Sequence, residues 1–84
     1  MAKFEIEFSR KAAKYYSKLP SNYKILINLA LLKLAEELPV DLKPIIGVKD
    51  IYRIRVGKFR ILFKTIGENT ILIFKIGSRG DAYK

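Results

Sequence analysis

Four arginines and one tyrosine in the second half of the chain are the residues whose types and spacing could do chemistry. In Tyr52-Arg53-Ile54-Arg55-Val56 a period of two throws Arg53 and Arg55 onto one side of an extended segment, about 7 Å apart. The following segment alternates Phe59, Ile61 and Phe63 against Arg60, Leu62 and Lys64, so Arg60 can join that side. Further on, Gly77-Ser78 leads into Arg79, with Tyr83 behind it. A guanidinium pairs bidentately with phosphate, keeps its charge and stacks on bases. A tyrosine can stack on a base or pass a proton. A single outward arginine on an alternating strand usually only keeps an edge unpaired. Four of them converging with a tyrosine, and no compensating carboxylate expected beside them, point instead to a functional surface for a polyanion; if it is catalytic, it must work by positioning and by stabilising charge that develops on phosphorus. Arg53, Arg55, Arg60, Arg79 and Tyr83 are the candidate catalytic residues, with Lys49, Lys58 and Lys64 as further RNA contacts.

The same sequence narrows the chemistry by what it lacks. It has no cysteine and no histidine, which removes disulfides, thiol nucleophiles, the usual zinc sites and a histidine acid–base pair. Asp50, Glu68 and Asp81 fall in separate turns or the tail, a poor arrangement for a magnesium cluster. There is no glycine-rich phosphate loop. No cofactor and no metal are expected.

Charge follows the same division. The chain of 84 residues carries 17 Lys and Arg against 8 Asp and Glu, a net +9. Residues 1–41 hold seven basic and five acidic side chains, net +2, and residues 42–84 hold ten and three, net +7. That field attracts polyanions and speeds their encounter. Half the residues are hydrophobic, enough for one compact domain over residues 1–84. Absence of Cys, Gln, His and Trp, with one Met, leans towards a hot-living source. The apolar run from Ile25 to Leu38 is interrupted by Asn28, Lys33 and Glu36-Glu37, too short to cross a bilayer, and the start has no apolar signal region. A soluble cytoplasmic protein is the expectation.

The elements that must position the arginines are legible from periodicity. Lys3 to Phe8 alternates as a half-buried strand. Ser9 can cap a helix over Arg10–Leu19, whose inward residues are Ala12, Ala13, Tyr16 and Leu19. Pro20 ends it, and Ser21 or Asn22 caps a second helix to about Leu38, with Ile27, Ala30, Leu31, Leu34 and Leu38 as its core stripe. Leu26, Leu29 and Leu32 lie off that stripe, which predicts a partner surface. Leu42 to Gly47 reads as an ordered loop. Strands follow at Ile51–Val56, Phe59–Ile66 and Thr70–Ile76, joined by Gly57-Lys58 and Gly67-Glu68-Asn69. The prediction is an α+β fold: an N-terminal strand, a two-helix antiparallel hairpin, then a three-strand antiparallel meander.

At this level of detail the chain resembles the RelE/ParE superfamily of toxins from type II toxin–antitoxin systems. The resemblance rests on Lys18-Leu19-Pro20, Leu42-Lys43-Pro44 leading to Gly47, the run Tyr52 to Phe63, and Ile76-Gly77-Ser78-Arg79-Gly80-Asp81-Ala82-Tyr83. It implies a microbial-ribonuclease-like fold and, for a RelE-like member, cleavage of mRNA in the ribosomal A site by attack of the ribose 2′-OH on the adjacent phosphate, without a metal. By position, Arg53 and Arg55 match the family's basic pair, Arg60 its phosphate-binding arginine, Arg79 the arginine after the last strand, and Tyr83 the tyrosine that stacks on the target base. Where some relatives have lysine at the pair this chain has arginine, which suits charge stabilisation and not proton transfer. The resemblance also implies a cognate acidic, helical antitoxin that wraps the toxin, with Leu26, Leu29 and Leu32 as its dock. Two other uses of the same sheet are a ParE-like inhibitor of DNA gyrase and a non-catalytic nucleic-acid-binding module.

Overall fold

A computed structural model of the chain describes residues 3–78. Its elements are β1 (Glu5–Phe8), α1 (Arg10–Ser17), α2 (Ser21–Ala35), β2 (Leu42–Pro44), β3 (Ile51–Val56), β4 (Phe59–Ile66) and β5 (Thr70–Ser78). They form one five-stranded sheet in the order β1-β5-β4-β3-β2. The meander β3-β4-β5 is antiparallel, and β1 closes its far edge by running parallel to β5. The predicted α+β class therefore holds, with one added strand.

That strand corrects the loop expected at Leu42–Gly47. Leu42, Lys43 and Pro44 pair antiparallel with Ile54, Arg53 and Tyr52. A proline is tolerated there because β2 is an edge strand and needs no outward N–H.

Burial of one sheet face drives the fold. Ile54 and Val56 of β3, Phe59, Ile61 and Phe63 of β4, and Ile71, Ile73 and Ile76 of β5 form a single cluster with Ala12 of α1 and Ile27, Leu31 and Leu34 of α2. The two helices are clipped together by the Tyr16 hydroxyl, which donates to Asn28 Oδ1 at 2.6 Å. Tyr23 meets Phe59 edge-on at 5.1 Å and Tyr52 stacks on Phe63 at 5.4 Å, which extends the apolar layer to both ends of the sheet.

Helix ends show where local chemistry overrode the predicted boundaries. Ser9 caps α1 as expected, accepting from the Ala12 N–H at 3.1 Å. The residue capping α2 is Pro20, with no side-chain hydrogen bond, in place of Ser21 or Asn22. At the other end α2 stops at Ala35, three residues before Leu38. Glu37 takes a left-handed conformation (φ 59), the Leu38 N–H reaches Lys33 O at 2.8 Å, and the Glu37 N–H reaches Leu34 O at 3.1 Å. This pair of bonds is a Schellman motif built on a non-glycine residue. It swings Leu38 out of the core stripe, so that it is exposed, while Ala35 is buried in its place. Ala13 is exposed as well.

A β-bulge sets the side-chain phase of β5. Leu62 pairs with Lys75 and Phe63 with Ile73, which leaves Phe74 as the extra residue. Strict alternation from Ile71 and Ile73 would carry Lys75 into the core. The bulge instead returns Ile76 to the core and puts Lys75 opposite Leu62 on the outer face. Here β1 ends, and Ser9 takes over its pairing: its N–H donates to Ile73 O at 2.8 Å and its hydroxyl to Phe74 O at 3.4 Å.

Candidate nucleic-acid interface

The sheet face away from the helices carries the arginines. Arg53 and Arg55 alternate with Ile54, which is fully buried in the core, so β3 holds both guanidiniums outward. In the β3–β4 register Arg55 stands directly opposite Arg60, and Arg53 opposite Leu62. The tight turn through Gly57 (φ 57) and Lys58 fixes that register, because a two-residue hairpin loop of this kind needs glycine at its first central position. Across β4, Arg60 faces Gly77, which has no side chain to compete for the space above the strand. Like charges set directly opposite one another destabilise a sheet. The Arg55–Arg60 pair is therefore a cost that packing alone does not explain.

The three arginines sit in different environments. Arg53 is buried, 5% exposed, Arg60 is half-buried, and Arg55 is open to solvent. The expectation of no carboxylate near this cluster is corrected: Asp41, just before β2, lies 3.8 Å from both Arg53 Nη2 and Arg55 Nε. Its main-chain oxygen also accepts the Arg55 N–H at 3.0 Å. Both side-chain distances are long for a hydrogen bond. Asp41 thus partly neutralises the cluster without filling its donor sites. It escaped notice because residues 42–47 were read as loop; the signal that could have found it is the extended Leu42-Lys43-Pro44, whose pairing draws Asp41 to β3. Lys43, opposite Arg53, enters the cationic surface by the same route. A groove of about 350 Å³ lined by Lys43, Pro44, Ile45, Ile46, Arg53 and Arg55 opens beside it.

The remaining candidates divide. Lys58, in the β3–β4 turn at the Arg55–Arg60 end, lays its ammonium over the rings of Tyr23 (4.6 Å) and Phe59 (5.5 Å), which turns it towards the helical side. Lys64 is exposed on β4, four residues from Arg60 and so about 13 Å along the strand. Lys49 is exposed in the turn before β3. The structure does not gather Lys49 or Lys64 with the arginines. Arg79 and Tyr83 lie outside the described residues. Ser78, the last described residue, pairs with Phe59 at the end of the sheet where Arg55 and Arg60 pair. Among the described residues no group of three or more acidic side chains could hold a metal ion, and no helix is long and apolar enough to cross a membrane.

On the helical side Leu26, Leu29 and Leu32 are 46%, 52% and 57% exposed, as their position off the core stripe predicted. Leu26 and Leu29 form one wall of a groove of about 460 Å³ whose other walls are Pro39, Val40, Asp41, Ile54, Arg55 and Val56. Leu32 is outside it. The groove joins the exposed leucines to Arg55 and Asp41.

A family model described as the ParE toxin of type II toxin–antitoxin system, parDE, matches residues 6–83. A protein of Methanocaldococcus jannaschii provisionally named toxin RelE1 is 33% identical, over 98% of this chain and 97% of its own length. Among solved structures, the RelB–RelE antitoxin–toxin complex from Methanococcus jannaschii superposes with a TM-score of 0.75 at 27% identity, covering 92% of this chain and 94% of that one. The isolated E. coli RelE toxin superposes with a TM-score of 0.78 at 21% identity, covering 95% and 90%; it speaks for the fold alone.

Proposed function

The chain belongs to the ParE toxin family of type II toxin–antitoxin systems, within the RelE/ParE superfamily, and from that premise we propose that it is a RelE-like endoribonuclease that cuts mRNA in the ribosomal A site. The observation that carries this reading is the opposed pair Arg55–Arg60 beside the buried Arg53. Among the described residues Asp41 is the carboxylate paired with Arg53 and Arg55, and the fork-shaped donors of Arg55 and Arg60 on this face suit a phosphodiester.

In the proposed reaction the ribose 2′-oxygen attacks the adjacent phosphorus, the bond to the 5′-oxygen breaks, and a cyclic phosphate is left. The 2′-OH gives up a proton and the leaving oxygen gains one. Arg55 and Arg60 would bind the non-bridging oxygens and stabilise the extra negative charge of the transition state. Arg53, fixed by burial, orders the neighbouring backbone. Arg79 would complete the cationic shell at the open end of β5, and Tyr83 would stack on the target base. Lys49, Lys58 and Lys64 are proposed as contacts to flanking RNA. Because arginine stays protonated, these side chains supply charge and orientation, and the protons move through other groups.

Control by a cognate antitoxin is part of the same proposal. The complexes of RelE with RelB from Methanococcus jannaschii and Pyrococcus horikoshii support a partner of this kind. An amphipathic helix on Leu26, Leu29 and Leu32 would extend into the groove that ends at Arg55, and an acidic side chain there would meet Lys33 and Arg55. Replacing the three leucines with serine should weaken antitoxin binding by about tenfold or more; unchanged affinity would rule out this dock. The ParE family match favours one second reading, inhibition of DNA gyrase without catalysis.

An in-vitro translation mix separates these readings. Primer extension on the message should show new ends at A-site codons when the protein is added. Intact message with gyrase trapped on DNA would support the second reading. Intact message and free gyrase would leave a nucleic-acid-binding module.

A further inference from the structure

The arginines do not exhaust the cationic surface. One row runs across the sheet in register: Lys43 of β2, Arg53 of β3, Leu62 of β4 and Lys75 of β5. Strands are about 4.8 Å apart, so Lys43 and Lys75 stand about 14 Å apart at the two ends of the row, with the buried Arg53 and Leu62 between them. It reaches β5 only because the bulge at Phe74 turns Lys75 to the outer face. Lys75 in turn shares a groove of about 210 Å³ with Lys11 and Lys14 of α1 and with Lys18, which caps its C-terminal end, floored by Ala12, Tyr15 and Ile76.

The α1 lysines recur at intervals of three and four and fall on one side of the helix. They extend about 10 Å along its axis, long enough to meet more than one phosphate of a strand lying beside it. The helix contains no acidic residue. Lys11, Lys14 and Lys18 take no part in the ion pairs Lys3–Glu37, Arg53–Asp41 and Arg55–Asp41. Two features favour a nucleic-acid backbone over a protein partner. The exposed large hydrophobics lie on α2, in the loops and at the end of β4, none on α1, whereas the buried core of a protein interface is depleted in lysine and enriched in aromatic and apolar groups. Lysine is also a point-charge binder of phosphate that reads no sequence.

We propose that the α1 groove is a second RNA-backbone site: nucleotides flanking the cleaved bond leave the arginine face over Leu62 and Lys75 and run along α1 on Lys11, Lys14 and Lys18. The ligand is single-stranded RNA, recognised through its phosphates, and the consequence is that the strand crosses the sheet transversely. This inference rests on the nuclease reading above.

The test uses the full-length protein and 2′-O-methyl oligonucleotides, which cannot be cut, of about 5 and about 15 nucleotides. Wild-type protein should bind the long oligonucleotide more tightly than the short one. The triple variant Lys11→Gln, Lys14→Gln, Lys18→Gln should lose about tenfold or more in affinity for the long one only. Its slope of log K against log salt should fall by about 2, the counterions released by three lysines on a single strand. A charge-matched control, Lys3→Gln, Lys24→Gln, Lys33→Gln, should retain most of both, and thermal melting should show all three proteins folded alike. Equal losses in the two triple variants would reduce the effect to net charge and overturn the site. So would a loss of antitoxin affinity with RNA binding unchanged, or wild-type binding that ignores oligonucleotide length. If wild-type protein still cuts message in translation while any of these holds, only this inference fails. If it neither cuts message nor binds either oligonucleotide, the nuclease reading fails with it.

Discussion

The two faces of the sheet differ by a one-residue step along each strand. Inside, Ile54, Ile61 and Ile76 form a row across β3, β4 and β5, all buried. One step over, the outer row is Arg55, Arg60 and Gly77. The inner row is dictated by burial: any large apolar set that packs would serve. The outer row sets an exposed Arg55 directly opposite a half-buried Arg60, like charges that a sheet does not favour side by side. Burial dictates the apolar inner row more strictly than the arginines of the outer one, and those arginines belong to the proposed site.

The contrast can be broken from either side. The largest effect should come from the inner row. Ile61→Ala should cost about 2–5 kcal/mol of unfolding free energy, read by urea denaturation, because it opens a cavity at a fully buried site. Arg60→Ala, its immediate neighbour at a half-buried position, should cost clearly less stability than Ile61→Ala yet slow cleavage by about 10²–10³-fold, the usual loss for one preorganised charge-stabilising donor. If Arg60→Ala instead unfolded the protein, the two faces would not be separable as described.

Asp41→Asn should move two quantities in opposite directions. Arg53 is buried beside this carboxylate, so losing the charge should destabilise the fold by about 1 kcal/mol, limited by the long 3.8 Å contact and by Asp41 being half open to water. Affinity for RNA should rise a few-fold, with a steeper salt dependence, because a negative charge leaves the cationic face. A fall in RNA affinity would show that Asp41 positions the arginines more than it competes for them.

The smallest effect belongs to the helix end that supports the inner face. Glu37 occupies a left-handed position (φ 59) that glycine takes without strain, so Glu37→Gly should stabilise by about 0.5–1 kcal/mol in thermal melting. The ion pair it removes, Lys3–Glu37 at 3.1 Å, is exposed on both sides and contributes little.

What could be read from the sequence follows the same line between faces. Alternation along Ile51–Val56 and Phe59–Ile66, with a glycine turn between, was enough to bring Arg53, Arg55 and Arg60 together, because period two is a strong signal when one face is apolar throughout. Three features resisted. A three-residue edge strand ending in proline carries too little periodicity to be told from a loop, so β2, Asp41 and Lys43 were missed. The bulge at Phe74 is a break in phase, visible afterwards in the spacing Ile71, Ile73, Ile76, and it alone moves Lys75 outward. The end of α2 was set by Glu37 adopting a conformation that its residue type disfavours, which no helix propensity would predict. Arg79 and Tyr83, placed by resemblance, remain part of the proposed site.

The most direct measurement of the central claim sets the outer pair against the inner row in one translation assay. Arg55→Gln, Arg60→Gln protein and Ile61→Val protein are added at equal concentration of folded protein, and message ends are mapped by primer extension. The double arginine variant should melt within a few degrees of wild type and produce no A-site cleavage, while Ile61→Val should melt lower and cleave at the wild-type rate. Cleavage by the double arginine variant at the wild-type rate would contradict the account.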